Sequence, residues 1–169
     1  MVVKGFDFAG IPEIIFHKGA FADLPHLIAE KGSNLLLVTG GSSLRKMGYY
    51  DKLSAALKNL NISISNIRVK EEPAPELIDK TVGEYKNKNI DVVVAIGGGS
   101  VMDTGKAVSA MLTTPDDSVM RYLEKVGEGV KHPGSQLPLI AVPTTSGTGS
   151  EATKNAVLSR VGEDGFKKS

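Results

Sequence analysis

Hydrophobic residues along the chain follow two different spacings in turn, which predicts alternating strands and helices. Short continuous apolar runs, at residues 35–38, 92–96 and 137–142, are typical of strands covered on both faces. Between these runs, apolar residues recur at every third or fourth position, which is the spacing of an amphipathic helix. Strands that alternate with helices indicate a parallel sheet with helices on its faces. The pattern therefore predicts a Rossmann-like α/β fold.

The same pattern predicts the individual elements. A first strand is expected at residues 11–16, where Ile14, Ile15 and Phe16 form an apolar run. Further strands are expected at residues 35–38, 62–69, 92–96, 137–142 and 156–161, the last of them beginning a hairpin that turns at residues 162–165. Helices are expected around residues 21–31, 53–60, 76–87 and 100–111, with a short one near 118–125 before a glycine-rich loop at 127–136.

Composition limits the classes of function. The chain has 169 residues, 41% hydrophobic and 23% charged, which fits one ordinary globular domain. A net charge of +1 argues against nucleic acid or an anionic membrane as a partner. No apolar stretch approaches the roughly 20 residues that a membrane span needs. The absence of cysteine is compatible with a reducing compartment, and we expect a cytoplasmic protein.

Three clusters of glycine and hydroxyl residues follow three of the predicted strands. They lie at residues 40–43, 97–100 and 144–150. The carboxyl ends of parallel strands share one edge of a sheet, and ligands of open α/β sheets bind outside that edge. One such cluster would be explained equally well as a structural turn. Three on one edge favour a ligand site.

The second cluster has the pattern of an anion site. Gly98, Gly99 and Ser100 stand between a buried strand and the start of a helix, where free N–H groups and the helix dipole favour a phosphate. The standard dinucleotide fingerprint fails, because it requires glycine at Met102. The spacing from Gly99 to Lys106 also fails the P-loop pattern. The sequence thus indicates a nucleotide site of another type.

Two charged residues follow the glycines. We expect Asp103 in the first turn of the helix, where it would either complement the helix dipole or have a functional role. Lys106 would either pair with Asp103, three residues earlier, or extend into solvent. The sequence leaves both alternatives open.

Two long motifs closely resemble those of the iron-containing (group III) alcohol dehydrogenases. They are Gly97-Gly98-Gly99-Ser100-Val101-Met102-Asp103-Thr104-Gly105-Lys106 and Pro143-Thr144-Thr145-Ser146-Gly147-Thr148-Gly149-Ser150-Glu151. The resemblance covers residues 1–169 as the family's cofactor-binding, dehydroquinate synthase-like N-terminal domain. It implies a two-domain enzyme that transfers hydride between a nicotinamide cofactor and a small alcohol or aldehyde.

The resemblance also implies roles for particular residues. Gly98, Gly99 and Ser100 would hold the pyrophosphate, and Asp103 would lie near the nicotinamide and the substrate. The remaining implied contacts with the dinucleotide come from Thr144, Thr145, Thr148 and Lys167.

The first cluster departs from the pattern of many NAD-dependent members, which carry an aspartate after this strand. Here Gly40, Gly41 and Ser42 follow Thr39, and Arg45 and Lys46 are near in sequence. No acid opposes a 2′-phosphate, and hydroxyl and N–H groups can donate to it. The chain is similar in this respect to the NADP-preferring butanol dehydrogenase and aldehyde reductase branch. A turn that accepts either NADP or NAD is the alternative.

The family's divalent metal, iron or zinc, is held by an aspartate and three histidines of the second domain. His17, His26 and His132 are scattered, so we expect none of them to bind metal. We read the chain as truncated, able to bind NADP(H) but not to catalyse alone, with homo-oligomerisation a further expectation. The alternatives are an isolated nucleotide-binding module and a relative of glycerol dehydrogenase or dehydroquinate synthase.

Overall fold

A four-stranded parallel sheet forms the centre of the computed structural model, which describes residues 12–162 and 165–168. The order of its strands is β2-β1-β3-β4, and all neighbours are parallel. The strands are β1 (Asn34–Thr39), β2 (Ser63–Arg68), β3 (Val92–Gly97) and β4 (Leu139–Pro143). The predicted Rossmann-like parallel sheet with flanking helices is thus confirmed.

Helices connect the strands and cover both faces of the sheet. They are α1 (Leu24–Ala29), α2 (Ser43–Lys46), α3 (Tyr49–Asn59), α4 (Pro75–Tyr85) and α5 (Gly99–Met111), with 3-10 helices at Ala20–Ala22 and Val119–Tyr122. Near the end of the chain, β5 (Ser159–Gly162) and β6 (Gly165–Lys168) form the predicted antiparallel hairpin. The glycine-rich segment after the second 3-10 helix is a loop, also as predicted.

Alternation along the strands divides the core into two layers. On one face, Leu36 and Val38 of β1 lie in a buried cluster with residues of α4 and α5. On the other face, Leu35 and Leu37 lie in a buried cluster with residues of α1 and α3. Because every side chain at residues 35–38 is almost fully buried, β1 is apolar at consecutive positions, as in strands covered on both sides.

Close packing of α5 against β3 fixes the position of that helix. A Cβ added to Gly105 would lie only 2.7 Å from Cβ of Ala95 and 3.4 Å from Cδ1 of Leu139. Glycine therefore allows α5 to approach the sheet more closely than any other residue type would. This contact holds α5 against β3 and β4, and the helix begins two residues after the carboxyl end of β3.

At the amino ends of the strands, Asp91 forms hydrogen bonds with the first residues of β1 and of the turn before it. Its Oδ2 accepts hydrogen bonds of 2.8 Å from the backbone N–H groups of Ser33 and Asn34. These bonds, from Asn34 first and then Ser33, hold the pKa of Asp91 below its ordinary value. Gly32, with φ +152°, has no room for a side chain, because an added Cβ would lie 2.2 Å from Cβ of Asp91.

Two details of the sequence prediction are wrong. No strand forms at residues 12–16, where Ile14 and Phe16 are 69% and 95% exposed; residue 11 lies outside the described part. An apolar run resembles a strand, but a strand also needs a partner, and none of the described strands pairs with this segment. The short helix α2 was not predicted, because four residues are too few to show a helical period.

Within the described ranges, none of the helices combines the length and the apolar character that crossing a membrane requires.

Candidate functional site

The connections that follow β1 and β3 lie on opposite faces of the sheet. The chain leaves β1 for α2 and α3 on one face, whereas β3 leads into α5 on the other face. Adjacent parallel strands whose connections leave in opposite directions open a crevice at their carboxyl ends, where α/β proteins bind ligands. The turns at residues 40–43 and 97–100 border this crevice.

The three predicted turns meet at this edge. An added Cβ on Gly40 would lie 3.3 Å from Cγ2 of Val101, at the start of α5. An added Cβ on Gly98 would lie 3.2 Å from Oγ1 of Thr145. The expectation that the three clusters share one edge is therefore confirmed, and the glycines are what allow the turns to approach each other.

The third turn is joined to the second by a backbone hydrogen bond. The N–H of Thr144 donates to the carbonyl oxygen of Gly97 at 2.8 Å. Further along, Thr148 packs beside Gly99, where an added Cβ would lie 3.3 Å from its Cγ2. The side chains of Thr144, Thr145 and Thr148 belong to exposed residues, so they are open to a ligand.

The start of α5 is suited to an anion. Gly98 caps the helix and has no side chain to accept from the first N–H groups, while its carbonyl accepts from the N–H groups of Val101 and Met102 at 3.0 Å. The N–H groups of Gly99 and Ser100 are the first of the helix and have no carbonyl one turn earlier. Together with the helix dipole they favour a phosphate.

A cleft of about 380 Å³ lies at this helix start. From α5 and the third turn, it is lined by Gly99, Ser100, Asp103, Thr148 and Ser150. Its other wall comes from Glu72, Pro73 and Val157. Ser150 belongs to the third predicted cluster, whereas no local pattern in the sequence marks the three residues of the other wall, which only the folded chain brings beside α5.

The structure decides between the alternatives that the sequence left open for Asp103 and Lys106. The helix begins at Gly99, so Asp103 is its fifth residue. Asp103 therefore lies beyond the first turn, and the helix dipole acts most strongly within that turn. The alternative of a solvated Lys106 is wrong, because this residue is only 8% exposed. Its Nζ lies 2.9 Å from Oδ1 of Asp103, which confirms the predicted pair. The same Oδ1 accepts a 2.6 Å hydrogen bond from Oγ of Ser150.

Close after the first turn, Arg45 forms a cation–π contact with Tyr50. Ser42 precedes α2, and the guanidinium carbon of Arg45 lies 3.4 Å from the centre of the Tyr50 ring. The hydroxyl of Tyr50 donates to Oδ1 of Asn66 at 3.2 Å. This stack holds the cation close to the turn at Gly40–Ser43, since α2 follows that turn directly.

Two remaining sequence expectations concern Lys167 and the histidines. Lys167 belongs to β6, but its side chain lies outside the described part of the structure. His17 is near Asp23, His26 is on α1, and His132 is in the loop after the second 3-10 helix. In the described ranges, no group of three or more histidine, cysteine, aspartate or glutamate residues fits a metal ion.

The fold and its glycine-rich carboxyl edge define a Rossmann-like α/β domain. The family model of the iron-containing alcohol dehydrogenases matches residues 12–169. The chain belongs to this family, whose members use a nicotinamide dinucleotide and a divalent metal.

One relative found by sequence and two solved structures illustrate how similar this chain is to other members of the family. NADH-dependent butanol dehydrogenase A of Clostridium acetobutylicum is 32% identical over 92% of this chain and 39% of its own length. The structure of NADH-dependent butanol dehydrogenase A of Thermotoga maritima is 28% identical, with a TM-score of 0.84 over 98% of this chain and 41% of its own. Sulfoacetaldehyde reductase of Bifidobacterium kashiwanohense, solved with NAD+, is 29% identical with a TM-score of 0.79, over 98% of this chain and 42% of its own. The chain thus spans about two fifths of the length of these relatives.

Proposed function

We propose that this chain binds a nicotinamide dinucleotide across the carboxyl edge of its sheet. The observation that carries the proposal is the meeting of three glycine-bordered turns at the start of α5, beside the 380 Å³ cleft. The pyrophosphate would accept from the N–H groups of Gly99 and Ser100, where the helix dipole is favourable. Gly98 and Gly99 leave the space that this approach requires.

The other proposed contacts come from the turns on either side. Thr144, Thr145 and Thr148 would donate from their hydroxyls to the dinucleotide, and Gly40, Gly41 and Ser42 would surround its adenosine ribose. Asp103 would lie on the cleft wall nearer to the nicotinamide, and Lys167 is a further proposed contact. The two ends of the dinucleotide would thus be held by different strands of one rigid sheet.

In the whole protein, we propose that the bound dinucleotide exchanges hydride with a small alcohol or aldehyde. The cofactor supplies the hydride chemistry, and this chain supplies orientation and electrostatics. The described residues hold no fitting set of metal ligands, so we assign them no part in polarising the substrate. We propose that catalysis requires residues beyond these 169, as in relatives of more than twice this length.

We further propose that NADP(H) is preferred to NAD(H). Gly40, Gly41, Ser42 and Ser43 follow β1 without an acidic residue that would repel a 2′-phosphate. Arg45, stacked on a tyrosine ring directly after this turn, adds a cation that pairs well with phosphate. The names of the two butanol dehydrogenases specify NADH, so these relatives do not support the proposed NADP(H) preference. The preference rests on the residues after β1 and has to be measured on this chain.

Isothermal titration calorimetry of the chain with NADPH and NADH tests both proposals. We expect NADPH to bind about tenfold more tightly, a difference of about 1.4 kcal/mol. In Ser42→Asp the new carboxylate repels the 2′-phosphate, so NADPH loses this advantage and NADH changes little. Ser63→Asp adds the same charge at the opposite sheet edge and serves as the control.

The outcomes separate the two proposals. Tighter binding of NADH by the unaltered chain overturns the NADP(H) preference and leaves the dinucleotide site intact. Heat changes at the level of dilution for both ligands overturn the dinucleotide site itself.

A further inference from the structure

Lys106 is a buried lysine on α5 whose ammonium contacts Thr153, Asn155 and Asp103. Its Nζ donates to Oγ1 of Thr153 at 3.0 Å and to the carbonyl oxygen of Asn155 at 2.5 Å. The third partner is the carboxylate of Asp103, at 2.9 Å. Burial of a lysine is expensive unless its ammonium is paired and hydrogen-bonded, so these contacts fix the ammonium beside Asp103.

Asp103 is the part of this arrangement that lines the cleft. It lines the cleft together with Gly99 and Ser100, the residues that begin the helix. One turn of helix advances about 5.4 Å, so a carboxylate at position 103 stands within a few ångströms of an anion bound at the helix start. At that range, in a partly buried site, an unpaired carboxylate repels a phosphate strongly.

The geometry points to Lys106 as a positioning residue that neutralises Asp103. We propose that its ammonium makes the cleft acceptable to the dianionic pyrophosphate, acting on the dinucleotide through Asp103. Ser150 supports the same arrangement, because its hydroxyl donates to the carboxylate oxygen that the ammonium contacts. This inference rests on the proposed dinucleotide site, and it assigns a function to a buried charge that the proposed ligand contacts do not use.

The test compares Lys106→Met with the double variant Lys106→Met/Asp103→Asn in the complete 169-residue chain. Lys106→Met keeps the length of the side chain and removes its charge. We expect the Kd values for NADPH and for ADP-ribose to rise by the same factor, roughly tenfold, because both ligands carry the pyrophosphate. In the double variant the uncompensated charge is absent, and the Kd for ADP-ribose, which lacks the nicotinamide, returns to within about threefold of the unaltered chain.

Lys86→Met is the matched control. Lys86 also holds a loop, since its Nζ donates to the carbonyl oxygens of Pro115 and Asp116 and to the carboxylate of Asp117. It lies near the end of α4, at the sheet edge opposite to the cleft. A general loss of loop anchoring would affect both lysine variants, whereas charge compensation affects only Lys106→Met.

Several results would overturn the inference. They are unchanged binding by Lys106→Met, a double variant as weak as the single one, or a loss that affects NADPH but not ADP-ribose. If circular dichroism shows that Lys106→Met does not fold, Asp103→Asn alone decides the question. Compensation predicts equal or tighter binding of ADP-ribose by Asp103→Asn, and weaker binding contradicts it. Failure of the unaltered chain to bind either ligand would instead count against the dinucleotide site.

Discussion

Gly99→Val should weaken the binding of NADPH by about a hundredfold, which corresponds to about 2.7 kcal/mol. An added Cβ at Gly99 already lies 3.3 Å from Cγ2 of Thr148, and the two methyl groups of valine extend further into the cleft. They occupy the place where we propose that the pyrophosphate meets the first N–H groups of α5. Calorimetric titration of the variant measures the loss.

Gly83→Val is the control for this substitution. Gly83 lies within α4, and nothing lies within 4 Å of a Cβ added there. We expect its affinity for NADPH to equal that of the unaltered chain. Comparable affinities of Gly99→Val and Gly83→Val, with both variants folded, would remove the start of α5 from the proposed binding site.

Gly105→Val should lower the free energy of unfolding by about 3 kcal/mol, because inserting methyl groups into a packed core forces the backbone apart. The first added carbon would lie 2.7 Å from Cβ of Ala95, so α5 must move away from β3. Urea unfolding followed by circular dichroism measures the change. Gly83→Val introduces the same atoms into a helix with open space, and we expect it to be neutral or slightly stabilising.

The consequence for function makes Gly105→Val informative beyond stability. The displaced helix carries the proposed pyrophosphate site at the start of α5 away from the third turn, so NADPH binding should weaken as well. A variant as stable as the unaltered chain would contradict the close approach of α5 to the sheet.

The sequence predicted the elements that are defined by local apolar runs. Residues 35–38 and 92–96 are buried at every position, and the turns after these strands meet at one edge as expected. The run at Ile14–Phe16 misled because it has the composition of a strand but no strand partner among the described residues. Local pattern therefore identifies which segments can form strands, whereas pairing depends on the rest of the fold.

The environment of Lys106 could not be predicted in the same way. Its partners Thr153 and Asn155 are 47 and 49 residues away in sequence, and they reach it only because the segment after the third turn returns over α5. A helical pattern with a polar residue at this position is equally compatible with a solvated lysine. Contacts at such separations are a property of the folded chain.

A titration of the 15N-labelled chain with NADPH, followed through its backbone amide resonances, tests whether the three turns together bind the dinucleotide. We expect the largest shifts at residues 40–43, 98–100 and 144–148, which come from three separate turns at one sheet edge. The amides of Ser33 and Asn34, at the opposite edge, should stay nearly unchanged. Saturable binding that shifts the amides around Asp91 and leaves those of Gly99 and Ser100 unmoved would contradict a dinucleotide site at the carboxyl ends of the strands.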